Sequence, residues 1–315
     1  MILSCESLDY SYGRNKALAG VSFSLEQGCA GLLGPNGAGK STLMKCLIGH
    51  RRIEKGRINV LGYDPAVHGL EIRNQVGVMP ESDVYLPNTT GLEMTLQCAR
   101  LCGLPRAHAM SRSHEVLGYV GLGEERYRQV EQYSTGMRAR LKLACAIVHG
   151  PKLLLLDEPT SGLDPAGREQ MLELVDDITH RTGVSALFSS HILHDIEKVS
   201  DQVVVLTRGQ VVFSGNKVDF LLRNTGRLNV KVKSGRERLA EKLAALGCKV
   251  EMQEGRDVFQ VGMPEGGTVK LIWQAAHELG VQVRHLAPFS IGLDDAFKQA
   301  MQESRTARTT REDGI

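Results

Sequence analysis

The chain has 315 residues, 42% of them hydrophobic and 23% charged, close to ordinary globular usage, so it can bury a sizeable core without unusual help. Its 38 basic and 36 acidic residues leave a formal net charge of +2, too even a balance for a nucleic-acid footprint, and no nucleic-acid partner is expected. The clearest apolar runs, Leu153 to Leu156 and Val203 to Leu206, fall far below the roughly 20 residues of a membrane-crossing helix, which excludes a spanning segment.

In chain order, the N-terminus lacks a basic segment followed by an apolar stretch, and Glu6 and Asp9 interrupt it early, so no export signal is expected and the chain is placed in the cytoplasm. From Met1 to about Gly215, short apolar runs bounded by Gly and Pro alternate with longer amphipathic stretches, which predicts α/β architecture with a largely parallel sheet. Buried strands are expected at Ala30 to Leu33, Leu153 to Leu156, Ala186 to Ser189 and Gln202 to Leu206, each followed by a polar or Gly-rich turn. Between Pro87 and Gln132 helical spacing takes over, as in Leu92, Leu96 and Ala99, and a helical insertion is expected over about 87–145. Residues 216–227 are expected to form a linker.

Beyond it the rhythm changes. Leu228 to Val232 alternates as a strand, Arg236 to Leu246 is helical, and Cys248 to Gln253 and Val258 to Val261 read as strands flanking a Gly255-Arg256-Asp257 turn. A helix from Thr268 to Leu279 and a strand from Val281 to His285 complete a β-α-β-β-α-β order, the split pattern of a small α+β ferredoxin-like domain over 228–301. The lone Trp273 is expected in that domain's core. A last helix at about Leu293 to Met301 precedes a polar tail, 302–315, with too little apolar content to pack. The seven cysteines form no CxxC pair and are expected as reduced thiols, although Cys98 and Cys102 lie one helical turn apart.

Two segments carry chemistry. Gly34-Pro35-Asn36-Gly37-Ala38-Gly39-Lys40-Ser41 has phosphate-loop spacing, between an apolar strand and an amphipathic helix. Gly37 and Gly39 let the backbone curl so that N–H groups face phosphate oxygens at a helix N-terminus; Lys40 adds a cation, and Ser41, followed by Thr42, offers a hydroxyl to Mg²⁺. In Lys152 to Pro159, KLLLLDEP, two acids end a strand expected to lie beside the phosphate loop: Asp157 for the metal, and Glu158 to accept a proton from the water that attacks the terminal phosphate.

The spacing and order of these segments resemble the nucleotide-binding domain of the ABC ATPase family, a P-loop NTPase fold. The resemblance implies further roles. Tyr133-Ser134-Thr135-Gly136-Met137 falls at the signature position, with Thr135 and Met137 in place of the usual Gly and Gln, and its amides contact ATP held by the opposite subunit. Asp164, in Ser161-Gly162-Leu163-Asp164, matches the loop that communicates across the dimer. His191 matches the switch histidine, and His194, one turn on, is read as part of a solvated helix face. Tyr12 stands where an aromatic ring stacks on adenine. Glu81 occupies the position of the metal-sensing glutamine and is expected to ligate Mg²⁺. Gly292-Leu-Asp-Asp-Ala-Phe297 resembles a segment ending exporter-type subunits.

The implied function is an ATP-binding, ATP-hydrolysing subunit of an ABC transporter of exporter type. It uses ATP and Mg²⁺, forms a homodimer or heterodimer of ATPase subunits, and drives a transmembrane permease on a separate chain from the cytoplasmic face of the membrane. A soluble ABC protein acting on ribosomes or DNA is disfavoured by the absence of a second cassette, a long coiled coil or zinc motifs. A nucleotide-binding regulator without hydrolysis is disfavoured by intact Lys40, Asp157, Glu158 and His191.

Overall fold

The computed structural model describes residues 1–83, 85–220, 227–252, 258–264 and 267–288. The chain divides into two compact units, Met1–Ser214 and Gly215–Ile315.

The first unit contains two sheets. A six-stranded sheet has the order β5-β6-β7-β3-β8-β9, built from β5 (Val76–Met79), β6 (Leu153–Asp157), β7 (Ser185–Ser190), β3 (Cys29–Leu33), β8 (Gln202–Thr207) and β9 (Gln210–Asn216). Neighbours from β5 through β8 pair in parallel. Every residue of β3, β6 and β7 is buried, which is why the middle of each strand reads as a short apolar run: both faces are covered. Each fully buried leucine, such as Leu32, Leu155 or Leu187, contributes about 1.5–3 kcal/mol through removal from water.

The strand order adds a detail to the expected placement of the acids beside the phosphate loop. β6 does not lie beside β3, the strand feeding the phosphate loop; β7 sits between them and pairs with both. The acids at the end of β6 are anchored on β7 through Ser189, and Glu158 reaches Lys40 directly.

The second sheet was not expected from the run pattern. β1 (Leu3–Tyr12), β2 (Asn15–Leu25) and β4 (Lys55–Val60) form an antiparallel sheet of order β2-β1-β4. Its signal is alternation: Val21, Phe23 and Leu25 are buried while their neighbours are exposed. In β1 the same alternation changes phase at Ser7, whose φ of 48° accompanies a register shift, and this bulge hid the strand's period.

Seven helices accompany the sheets among the described residues of this unit: α1 (Lys40–Leu47), α2 (Gly69–Arg73), α3 (Gly91–Leu101), α4 (Arg106–Tyr119), α5 (Thr135–Ile147), α6 (Pro165–Thr182) and α7 (Leu193–Val199). Their starts are written locally. Thr90 caps α3 in a reciprocal box with Glu93, Ser134 caps α5, and Asp164 caps α6 ahead of Pro165 at its first position.

The second unit runs β10 (Arg227–Val232), α8 (Arg236–Ala245), β11 (Lys249–Met252), β12 (Val258–Gly262), α9 (Lys270–Glu278) and β13 (Val283–Pro288), with an antiparallel sheet of order β11-β12-β10-β13. Leu228, Val230, Leu239, Leu243, Phe259 and Ile272 fill its core. Trp273 does not join them: it is 50% exposed, because α9 buries the stripe Ile272, Ala275 and Ala276, and the next residue points about 100° away. The Gly255-Arg256-Asp257 turn, the helix at 293–301, the 292–297 segment and the 302–315 tail lie outside the described residues. Among the described residues no helix is long and apolar enough to cross a membrane.

Candidate functional site

The loop between β3 and α1 is built around close backbone approaches. Gly37 and Gly39 have φ of 78° and 105°, the left-handed region that side-chain-bearing residues avoid. A Cβ on Gly39 would lie 2.7 Å from the Ala17 carbonyl oxygen, and one on Gly34 would lie 2.3 Å from that of Leu206. The loop is thus threaded between β2 and the end of β8 in a way only glycine permits. Gly209, in the two-residue turn Arg208-Gly209 joining β8 to β9, donates its N–H to the Ala38 carbonyl at 2.9 Å and fixes the loop from behind.

Lys40 and Thr42 from α1, with Ser41 between them, line a cleft of about 580 Å³ together with the loop residues Pro35, Asn36, Gly37, Ala38 and Gly39. Tyr12, Glu81, Glu158 and Arg208 reach the same cleft. Tyr12 is 44% exposed, set edge-on to Tyr10 at 5.0 Å between ring centroids, with the Arg51 guanidinium 5.7 Å from its own ring centre. One aromatic face is thereby held by neighbours within the protein.

At the end of β6 the two acids have different surroundings. Asp157 accepts a hydrogen bond from Ser189 Oγ at 2.8 Å. Glu158, at φ 50°, donates its N–H to the same hydroxyl at 2.9 Å, so Ser189 of β7 anchors both residues. A non-glycine residue in the left-handed region is strained, and here the bond to Ser189 helps hold Glu158 in that conformation. Its Oε1 lies 3.2 Å from Lys40 Nζ and its Oε2 lies 2.8 Å from His191 Nδ1. Lys40 also donates to the Gly34 carbonyl at 2.7 Å.

The segment leaving β7 is pinned by a buried acid that sequence reasoning did not single out. Thr160 Oγ1 donates to Asp195 Oδ2 at 2.5 Å, Ser190 Oγ lies 3.5 Å from the same oxygen, and the Ile192 N–H donates to Ser190 Oγ at 2.9 Å. Asp195 is fully buried on α7, one turn beyond His191, and ties the histidine's loop to the segment after Glu158. Its only sequence signal is a carboxylate in the first turn of a short helix. Ser189 and Ser190 carry a clearer one, as two hydroxyls ending an otherwise apolar buried run. His194 is exposed and joins no constellation.

Glu81 sits on a loop fastened to α5. Lys142 Nζ donates to the carbonyls of Pro80 at 3.2 Å and Glu81 at 2.9 Å, while Asp83 pairs with Arg138 at 3.1 Å and Lys142 at 3.2 Å. The helix that opens at Ser134 therefore holds the Glu81 backbone directly.

Of the three expected metal ligands, Glu81 lines the cleft, and Ser41 lines both the cleft and a neighbouring cavity that Asp157 also reaches. Ser134, Thr135 and Gly136 lie with Asp164 around a separate pocket, while Met137 donates its N–H to the Ser134 hydroxyl at 3.3 Å. Within one chain the signature segment and the phosphate loop do not share a pocket.

The family described as ABC transporter matches residues 18–161. The linearmycin resistance ATP-binding protein LnrL of Bacillus subtilis (strain 168) is 34% identical over 226 residues, which cover 71% of this chain and 72% of that protein. This chain belongs to the ABC transporter family as an ATP-binding subunit. The ABC ATP-binding protein YdbJ of the same organism, itself uncharacterised, is 31% identical over 306 residues, 95% of each chain, so the second unit belongs to the shared length. A solved structure described as the ATP-binding subunit of an ABC transporter superposes with a TM-score of 0.63 at 31% identity, covering 71% of this chain and 92% of that one. The ABC subunit is an ATPase, and the phosphate-loop sheet described above is its catalytic fold.

Proposed function

We propose that this ABC subunit powers export, with Glu158 as the group that accepts the proton of the attacking water and His191 and Lys40 as its two supports. The observation that carries the reading is the division of the Glu158 carboxylate: one oxygen faces Lys40 and the other faces His191 Nδ1. His191 orients the base, while Lys40 lies between that base and the loop that cradles phosphates, poised to contact the terminal phosphate oxygens.

The donor set suits Mg²⁺, a hard cation that takes a hydroxyl and a carboxylate with phosphate oxygens and waters. Ser41 and Asp157 would hold it, with Glu81 entering from its own loop, and the ion would neutralise charge on the phosphates. Ser189 keeps the Asp157 carboxylate oriented. Tyr12 receives the adenine on its exposed face.

Because Ser134, Thr135 and Gly136 face a pocket of their own, a second copy of this chain or a related ATPase must bring its signature segment over the phosphate loop, and nucleotide binding then closes a dimer. The power stroke passes to a transmembrane permease on a separate chain at the cytoplasmic face of the membrane. Likeness to a linearmycin resistance protein supports an exporting complex.

The test is reconstitution: the subunit is co-purified with the integral membrane protein that binds it and assayed in vesicles for ATP-dependent efflux of antibiotics, linearmycin first. Transport lost in Lys40→Ala and Glu158→Gln supports the reading. A subunit that hydrolyses ATP but binds no membrane protein refutes it.

A further inference from the structure

A second group of reactive side chains lies outside the nucleotide cleft. Cys98 on α3 and Cys145 on α5 line a cavity of about 380 Å³ whose wall is otherwise largely apolar, with Met44, Ile48, Val78 and Met94. Both thiols are half-buried, whereas Cys5, Cys29, Cys46 and Cys248 are buried. Cys98 and Cys145 meet where α3 packs on α5, close enough for each thiol to shift the titration of the other. Thr95, fully buried one turn before Cys98, places its hydroxyl 3.9 Å from Cys145 Sγ and sets the meeting point of the helices.

The two thiols are not equivalent. The neighbouring Cys145 thiol holds Cys98 below its ordinary value, against the opposing effect of burial, and the same proximity together with burial pushes Cys145 up. Cys102, one turn along α3, is pushed up by burial and by the nearby Cys98. A thiol held below its ordinary pKa, open to a cavity and beside a second thiol, is the arrangement of an attacking and a resolving cysteine.

We propose that Cys98 and Cys145 form a peroxide-oxidisable dithiol whose disulfide ties α3 to α5 and restrains the helix that carries Ser134 and Lys142. The Cys98 thiolate attacks one oxygen of hydrogen peroxide; the O–O bond breaks, Cys98 becomes a sulfenic acid, and the departing hydroxide takes up the thiol's proton as water. The Cys145 sulfur then attacks the Cys98 sulfur; the S–S bond forms, the S–O bond breaks, and the hydroxyl leaves with the Cys145 proton as a second water. Two thiols lose two electrons and two protons, and one peroxide becomes two waters. The tie matters because Lys142, one turn before Cys145, holds the Glu81 carbonyl, and Ser134 opens the same helix.

The experiment treats the full-length chain with hydrogen peroxide, blocks remaining thiols with iodoacetamide, and maps peptides without reduction while ATPase rate is followed in parallel. The expected result is a linked pair of peptides carrying Cys98 and Cys145, with at least a threefold fall in rate that dithiothreitol reverses. Cys98→Ser and Cys145→Ser each lose both the link and the inhibition, and Cys102→Ser keeps both, which preserves the test if either of the first two variants folds poorly. Full alkylation of Cys98 and Cys145 after peroxide, or a link from Cys98 to Cys102 instead, overturns the proposal. A Cys98–Cys145 link with no change in rate overturns the claimed restraint.

Discussion

Lys40 Nζ and Glu158 Oε1 stand 3.2 Å apart, and the two side chains are only 6% and 7% exposed. A buried pair of this kind is costly to break from one side, because the surviving charge is left without a partner in a poorly solvated place. The pair also means that the phosphate-directed cation and the water-directed base are assembled on each other, at the ends of α1 and β6.

Replacing Glu158 by Gln keeps the shape and removes the basic oxygen. ATP binding is expected to persist, turnover to fall by about two to four orders of magnitude, and a nucleotide-dependent dimer to accumulate on gel filtration. Ordinary turnover in this variant refutes the proton-accepting role of Glu158.

Tyr12→Ala removes the exposed aromatic face and leaves the phosphate loop untouched. Nucleotide affinity should weaken by about 1–3 kcal/mol, the usual worth of stacking a base on an aromatic side chain, with the rate at saturating ATP nearly unchanged. A collapse of the saturated rate contradicts the assignment of Tyr12 to binding alone.

Lys142→Ala cuts the two hydrogen bonds that fasten the loop of Pro80 and Glu81 to α5 and leaves Asp83 with Arg138 only. Because Glu81 approaches the reaction from that loop, kcat should drop several-fold while nucleotide affinity stays within about twofold. Equal kcat in mutant and parent shows that the fastening has no part in turnover.

The α4 residue Tyr119 donates its hydroxyl to Asp177 of α6 at 2.6 Å, and Arg181 joins the carboxylate at 2.7 Å. The Tyr119 hydroxyl first, and Arg181 after it, hold the Asp177 carboxyl below the usual range. A carboxyl lowered in the folded state adds stability that is complete above its unfolded value, about 3.9, and disappears as pH falls through the lower folded value. Tyr119→Phe should therefore flatten the decline of Tm on the acid side of about pH 4 relative to the parent. Superimposable acid limbs for the two proteins count against this link.

Much of the site was legible because its parts are contiguous. Gly34 to Ser41 encode a loop whose glycines alone can pass Ala17 and Leu206, and Leu153 to Leu156 encode a doubly buried strand by being apolar without interruption. Trp273 misled because a single aromatic carries no periodicity, and only the stripe on α9 says which face it occupies. The sheet of β1, β2 and β4 escaped because the bulge at Ser7 reverses the phase of alternation partway along the first strand.

The sequence by itself determined the phosphate loop, the acids ending β6, the β-α-β-β-α-β order of the second unit and the family, since each is set by spacing along the chain or by local conformational permission. Only the tertiary structure decided that β7 lies between β6 and β3, that Ser189 anchors both acids, that Asp195 pins the His191 loop, and that Cys98 meets Cys145. Those relationships join residues tens of positions apart, and sheet order and helix packing, which place them, follow from burying apolar faces collectively, a quantity no local stretch of residues contains.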